Sequence, residues 1–156
     1  MTTIATDGVT IAADSSGFFD TIRAVRPSSK IAVSHNTIYA LCGTSGMRGS
    51  LMLWIVRGAQ VEKMPKCDGA DWTMLVISTE GAVIYSDQVP FPTLISYPFA
   101  MGSGEKFAYG AMAVGATPKE AIEAASRFDP YTGGEIQVVE FASLGLGHLA
   151  KKVAAE

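Results

Sequence analysis

With 156 residues, 48% of them apolar and 17% charged, the chain has the length for a single domain over 1–156 and enough apolar content to bury a core without disulfides or structural metals. Twelve basic against fifteen acidic side chains give a formal charge of −3, without the Lys/Arg excess that phosphate backbones or anionic lipid attract, so nucleic acid is excluded as an expected partner. The longest unbroken apolar run, six residues at 51–56, is far short of the roughly 20 that cross a bilayer, and the first residues lack the basic start and apolar stretch of a secretory signal; no membrane span and a cytoplasmic location are expected.

Thr2-Thr3-Ile4-Ala5-Thr6 is β-prone and stops at Asp7-Gly8, a strong turn signal, and Val9 to Ala13 resumes the pattern, which predicts a hairpin. Beyond the polar stretch 23–29, segments 30–34 and 37–42 predict a second hairpin about His35-Asn36. Gly43-Thr44-Ser45-Gly46 leads into 47–60, which has helical length but places Met47, Leu51, Met52, Leu53, Trp54, Ile55 and Val56 on nearly every face. Such a helix needs cover on more than one side: a sheet for its inner face, and a neighbouring copy of the chain as the simplest cover for the rest. A polar connection over 62–71 precedes strands 72–78 and 82–86, a third hairpin around Glu80-Gly81, and Pro90, Pro92 and Pro98 then interrupt regular structure. Gly102-Ser103-Gly104 opens a helix over 105–114. Thr117-Pro118-Lys119-Glu120 supplies an N-cap, an N1 proline and an N3 glutamate for a last helix reaching about Arg127. A strand at 136–141 and a short helical or frayed tail over 143–156 complete the pattern. Strands in blocks, separated from paired helices, indicate an α+β arrangement rather than alternating βαβ units.

The familiar catalytic signals are weak. His35 and His148 have no third ligand near them, Gly102-Ser103-Gly104 is not a complete dinucleotide fingerprint, and no Walker lysine is present, so neither metal nor cofactor is expected. Cys42 and Cys67 lack metal-ligand spacing and read as free thiols. The informative combination is a threonine at position 2 on a strand that fixes it, Asp14 closing the next strand and Lys30 opening the third. A threonine hydroxyl is a weak nucleophile until a base takes its proton, and a free α-amine on the same residue can be that base. The amine titrates near 7.7–8.0, and a buried cation beside it enlarges the neutral fraction. Lys30 can be that cation, with Asp14 compensating its charge.

Thr2-Thr3-Ile4, Asp7-Gly8-Val9, Ala12-Ala13-Asp14-Ser15, Lys30-Ile31, Gly43-Thr44-Ser45-Gly46, Gly102-Ser103-Gly104 and Asp129-Pro130-Tyr131-Thr132-Gly133-Gly134 run in that order across 2–141. They resemble the ordered motifs of proteasome β subunits and HslV-type proteases, within the N-terminal nucleophile (Ntn) hydrolases. The sixteen-residue step from Asp14 to Lys30 matches the family's step between its active-site aspartate and lysine. The compact start is most similar to small proteasome homologues of bacteria and phages. The resemblance implies a four-layer αββα sandwich, reduced in helices, with the nucleophile at the edge of one sheet. It further implies a threonine-type endopeptidase acting on peptide or unfolded-protein substrates from a self-compartmentalising homo-oligomeric ring. In that scheme Thr2, exposed by removal of Met1, is nucleophile and, through its amine, base. Lys30 tunes the amine and Asp14 positions Lys30; Ser103, Asp129 and Thr132 orient the amine, and the Gly43 backbone N–H is the oxyanion donor.

The chain departs from the larger relatives in a shorter first hairpin, in having no second helix evident between 60 and 71, in a short last helix, and in carrying Ser16 where an arginine is common; no regulatory ATPase is inferred. Singly, each residue also fits an ordinary role: Thr2 a β-prone strand residue, Asp14 a strand-end cap, Lys30 an edge charge, Asp129 a turn residue. Two alternatives stay open: an inactive ring-forming homologue whose amine is locked in the Met1–Thr2 peptide bond, and a small-molecule amidase using the same nucleophile.

Overall fold

Side chains alternate across each strand with a period of two, and here that alternation sorts the apolar residues into three separate cores. The structure is a computed structural model describing residues 1–149 apart from 20–21, 25, 67–68 and 88–90. Strands β1 (Thr3–Thr6) and β2 (Thr10–Ala13) form the predicted first hairpin, its turn closed by Asp7 Oδ1, which accepts from the Val9 and Thr10 N–H groups at 2.8 Å each. Phe18–Phe19 (β3) and Ile22–Arg23 (β4) pair as a minimal ladder, and β5 (Ile31–Ser34) and β6 (Thr37–Gly43) turn on His35 and Asn36, both at positive φ. The chain continues through helix α1 (Ser45–Val56), β7 (Trp72–Ser78), β8 (Gly81–Ser86), β9 (Thr93–Leu94) and β10 (Phe99–Gly102). Helices α2 (Glu105–Ala113) and α3 (Pro118–Ser126) and strand β11 (Gln137–Glu140) follow.

One antiparallel sheet has the order β10-β1-β2-β11 and the other β5-β6-β7-β8-β9. Ile4, Ile11 and Met101 of the first sheet meet Ile38, Leu75 and Ile77 of the second, with Phe141 and Leu146 closing this central core. The other face of the first sheet presents Ala5, Ala12 and Ala100 to Ala108, Met112, Ala121 and Ile122 of α2 and α3. Leu41, Trp72 and Met74 on the outer face of the second sheet pack under Leu51, Trp54 and Ile55 of α1. The layers therefore run helix, sheet, sheet, helix, in agreement with the α+β, αββα expectation.

The elements differ from the sequence reading in two places that matter to the site. Helix α1 begins at Ser45 and ends at Val56 instead of spanning 47–60, because Gly58 and Ala59 both turn to positive φ and terminate it. The proline-interrupted stretch contains β10, which pairs along β1 with Gly102 opposite Thr3. Cys42 is a free, buried thiol; Cys67 and positions 150–156 of the predicted tail lie outside the described residues. Among the described residues no helix is long and apolar enough to cross a membrane.

Helix α3 starts on the predicted capping box, with Thr117 N–H donating to Glu120 Oε2 at 2.8 Å and Glu120 N–H donating back to Thr117 Oγ1 at 3.3 Å. Thr117→Ala is expected to lower the unfolding free energy by about 1 kcal/mol, read from the urea midpoint.

Candidate active site

Because β1 alternates, Thr2 and Thr3 face opposite ways, and two polar clusters form on the two sides of the strand. Thr2, 1% exposed, shares its side with Ile4, toward the second sheet. There the Lys30 ammonium meets Asp14 Oδ1 at 2.6 Å, with both side chains fully buried. Asp14 is saturated with donors: Oδ1 also accepts the Thr3 N–H at 2.8 Å, and Oδ2 accepts the Ser16 and Gly133 N–H groups at 3.1 Å each. Lys30 Nζ additionally donates to the Met1 carbonyl oxygen at 3.2 Å, so the ammonium stands against the peptide group that joins Met1 to Thr2.

On the opposite side, Thr3 Oγ1 accepts the Gly104 N–H at 2.9 Å and lies 2.5 Å from Thr132 Oγ1. Thr132 donates to Asp129 Oδ2 at 2.5 Å, and Ser103 Oγ donates to the same oxygen at 2.6 Å. With the Thr132 proton directed at Asp129, the Thr3 hydroxyl must be the donor to Thr132, which fixes the direction of the whole chain of bonds. This cluster reaches Thr2 through Ser103, whose backbone N–H donates to the Thr2 carbonyl at 2.8 Å.

Two glycines make the close approaches possible. At Gly102 (φ +102°) a Cβ would overlap the Thr2 carbonyl oxygen, and at Gly43 (φ +117°) it would overlap the Asp71 carbonyl oxygen and lie 2.6 Å from Trp72 Cα. Gly43 and Thr2 border a cleft of about 680 Å³, whose lining includes Met1, Thr73, Phe99 and Tyr109. The residues singled out in the sequence thus come together around Thr2: Asp14 and Lys30 at the Met1–Thr2 peptide group, Gly43 on the shared cleft, and Ser103, with Asp129 and Thr132 behind it, at the Thr2 carbonyl.

One residue that the sequence reading passed over joins them. Arg48 of α1, 6% exposed, donates from Nη1 to Thr2 Oγ1 at 3.3 Å and from Nη2 to Ser28 Oγ at 2.8 Å. Its signal in the sequence is a charge placed in line with Leu51 and Ile55, at i+3 and i+7, on the face that becomes buried.

The electrostatics follow from this packing. Burial lowers the N-terminal amine below its ordinary 8.0, and the Lys30 and Arg48 charges lower it further, against a smaller opposing pull from Asp14. Burial likewise lowers the Lys30 ammonium, while the Asp14 charge and hydrogen bond work to keep it protonated. Burial pushes the Cys42 thiol up to about 12, so although it borders the cleft it is no thiolate nucleophile near neutral pH. For Asp129 burial acts upward, but the hydrogen bonds from Ser103, Thr132 and the Tyr131 N–H outweigh it and hold the carboxyl below 3.8.

No protein-family model matches the chain, and no curated protein matches it in sequence. Solved structures do match. Eukaryotic HslV from Trypanosoma brucei superimposes with a TM-score of 0.63 at 18% identity, over 90% of this chain and 99% of that one. Thiobacillus denitrificans BPH in complex with epoxomicin gives 0.63 at 19% identity over 90% and 98% of the two chains, and BPH without it 0.62 at 19% over 90% and 97%. The chain has the HslV/proteasome β-type Ntn-hydrolase fold.

Since the folded Asp129 carboxyl lies below its unfolded value of 3.8, its contribution to stability is present above that pH and is lost as pH falls through the folded value. The stability difference between wild type and Asp129→Asn is therefore expected to be constant from pH 7 to 5 and to shrink below about pH 4, measured as urea midpoints across that range.

Proposed function

We propose that this chain is a threonine-type peptidase subunit that hydrolyses peptide bonds through Thr2, once Met1 is removed, within a self-compartmentalising ring. The observation that carries the reading is the fully buried Lys30–Asp14 pair placed against the Met1 carbonyl, at the bond whose loss would free the Thr2 amine. A buried ion pair is a poor source of net stability, so its position beside a strand-terminal threonine argues for chemistry.

In this mechanism the neutral Thr2 amine takes the Oγ1 proton as the oxygen attacks the substrate carbonyl. The carbonyl electrons move onto its oxygen, and the resulting oxyanion accepts a hydrogen bond from the Gly43 N–H. The amide C–N bond then breaks, with the ammonium returning its proton to the leaving nitrogen, and water activated by the same amine hydrolyses the ester. The Lys30 and Arg48 charges, which depress the amine in the Met1-bearing chain, would depress the Thr2 amine as well and keep more of it basic near pH 7. Ser103, held by Asp129 with Thr132, fixes the Thr2 carbonyl and through it the strand end. Chain that keeps Met1 lacks the base and is the inactive form.

The ring reading rests on α1. Leu53 and Val56 are 50% and 75% exposed on the face away from its sheet, in keeping with a helix that is apolar on more than one side. A second copy of this chain is the occupant proposed for that face. Peptides or unfolded chains are the substrate class, without cofactor.

Active protein is expected to show an intact mass lower by one methionine, and Thr2→Ala to abolish cleavage of fluorogenic peptides while the protein still folds and assembles. Wild-type turnover in Thr2→Ala would end the mechanism. Leu53→Glu with Val56→Glu is expected to dissociate the assembly before the domain unfolds, followed by light scattering coupled to size exclusion; a wild-type mass near 16.4 kDa at micromolar concentration would end the ring reading.

A further inference from the structure

Arg48 is buried without a carboxylate. Among the described residues the ion pairs are Lys30–Asp14 and Lys119–Glu123, and the guanidinium contacts two hydroxyls only, those of Thr2 and Ser28. An arginine desolvated to this degree without an anionic partner is costly for the fold, and an apolar residue on the inner face of α1, in line with Leu51 and Ile55, would be cheaper. Its placement is nonetheless fixed from three sides. The Arg48 N–H donates to the Thr44 carbonyl at 3.0 Å in the first helical turn, Ser28 Oγ accepts Nη2, and the Ser28 N–H is itself anchored on the Ser15 carbonyl at 2.9 Å, next to Asp14. The rigid fork of the guanidinium then aims an Nη1 donor at Thr2 Oγ1.

We infer that Arg48 is a second cationic catalytic residue of this site, donating to the nucleophilic oxygen itself, directing the Thr2 hydroxyl proton toward the α-amine and stabilising the negative charge that gathers on Oγ1 during attack. The inference rests on the peptidase reading for its reaction, and on geometry for its residue. A guanidinium has donors and no acceptor, so the Thr2 proton cannot point at Arg48 and is left for the amine on the same residue. As Oγ1 passes its proton to the amine nitrogen and bonds to the substrate carbonyl carbon, Arg48 keeps all of its own protons, and its hydrogen bond is strongest while Oγ1 carries transient negative charge, before that charge settles on the former carbonyl oxygen. Lys30 and Arg48 divide the work: Lys30 stands at the peptide group that becomes the amine, Arg48 at the hydroxyl.

The charged and titratable groups around the N-terminal amine of the Met1-bearing chain are Lys30 ahead of β5, Asp14 after β2, Cys42 of β6, Arg48 of α1 and Asp129 after α3, with Asp71, Glu105 and Tyr109 on the cleft wall. Removing Arg48 deletes one of two cations from this set and leaves the carboxylates in place, so the amine must titrate higher without it.

The test compares full-length, Met1-free wild type, Arg48→Met, Arg48→Lys and Ser28→Ala. It reads kcat and KM on fluorogenic peptides from pH 6 to 9, and the amine titration by NMR on protein labelled with ¹⁵N-threonine. Arg48→Met is expected to lose about tenfold to a hundredfold in kcat with KM little changed. Its amine midpoint and the acidic limb of its rate profile should both rise by about one pH unit. Arg48→Lys should restore the amine midpoint but only part of kcat. Ser28→Ala, which frees the guanidinium but keeps its charge, should lower kcat a few-fold at an unmoved amine midpoint. Wild-type kcat and an unmoved amine in a folded Arg48→Met protein would overturn the inference. If Arg48→Met does not fold, unchanged kcat in both Arg48→Lys and Ser28→Ala would overturn it. If wild type cleaves no peptide while Arg48→Met still raises the amine midpoint, the peptidase reading falls and the action of Arg48 on Thr2 stands; no cleavage with no shift in the midpoint sinks both.

Discussion

The Lys30–Asp14 ion pair sits where the two sheets meet, and the surrounding backbone is arranged to make a fully desolvated charge pair tolerable. Each Asp14 oxygen accepts two donors, supplied by β1, by the turn after β2, by the Gly133 loop and by Lys30. A carboxylate left with any of these donors missing would be a buried charge only partly compensated, and removing one partner of such a pair typically costs about 3–5 kcal/mol. The pair therefore locks the registry of four chain segments at once. A second tie reinforces it: the Lys30 N–H donates to Gln137 Oε1 of β11, in the other sheet, at 2.8 Å. The position of Thr2 relative to Gly43 follows from these ties more than from anything local to Thr2.

Backbone proximity does the rest. Gly102 lets β10 approach the Thr2 carbonyl, and Gly43 lets β6 run against the Asp71 carbonyl before the chain turns into α1. Within a few residues that turn brings Gly43 to the cleft that Thr2 borders and the Arg48 guanidinium to the Thr2 hydroxyl. The alternation of β1 gives Thr2 to this side and Thr3 to the Asp129 side, so one short strand carries both polar clusters. The small residues Ala5, Ala12 and Ala100 let α2 and α3 lie close enough for the Asp129 loop to reach it.

How much of this was legible in the sequence depends on whether a residue acts through local pattern or through packing. The hairpins about Asp7-Gly8, His35-Asn36 and Glu80-Gly81 were legible because turn chemistry is local, and the α3 start because a capping box is complete within four residues. The ordered motifs carried the αββα expectation, and the Asp14 and Lys30 positions came with them. Strand β10 was not legible: it is four residues long, follows Pro98 directly, and owes its strand character to pairing with β1. The α1 boundary moved because Gly46 and Gly49 are poor helix formers that hide the true start, and the positive φ at Ala59 is not written in a residue type that favours it. Arg48 was passed over for a related reason. An arginine beside Gly49 and Ser50 reads as part of a solvated face, and only the docking of α1 against Ser28 turns it inward.

On the proposed reading, the groups that make the site costly are also the ones that make it reactive. Two cations and a saturated carboxylate are poor material for a core, and a stable fold of this size could dispense with them. Around one strand end, burial and the two cations, against a smaller opposing pull from Asp14, lower the affinity of the N-terminal amine for its proton, which is what a base working near neutral pH requires. Met1 opposes this arrangement in a simple way. While it is present its carbonyl oxygen occupies one Lys30 donor, and the Thr2 nitrogen is an amide without a basic lone pair. Its loss would remove both obstacles together, because the carbonyl that engages Lys30 and the bond that ties up the nitrogen belong to one peptide group. On the proposed mechanism the buried pair then needs no rearrangement to act, because Asp14 is already saturated with donors and Lys30 already stands at that peptide group.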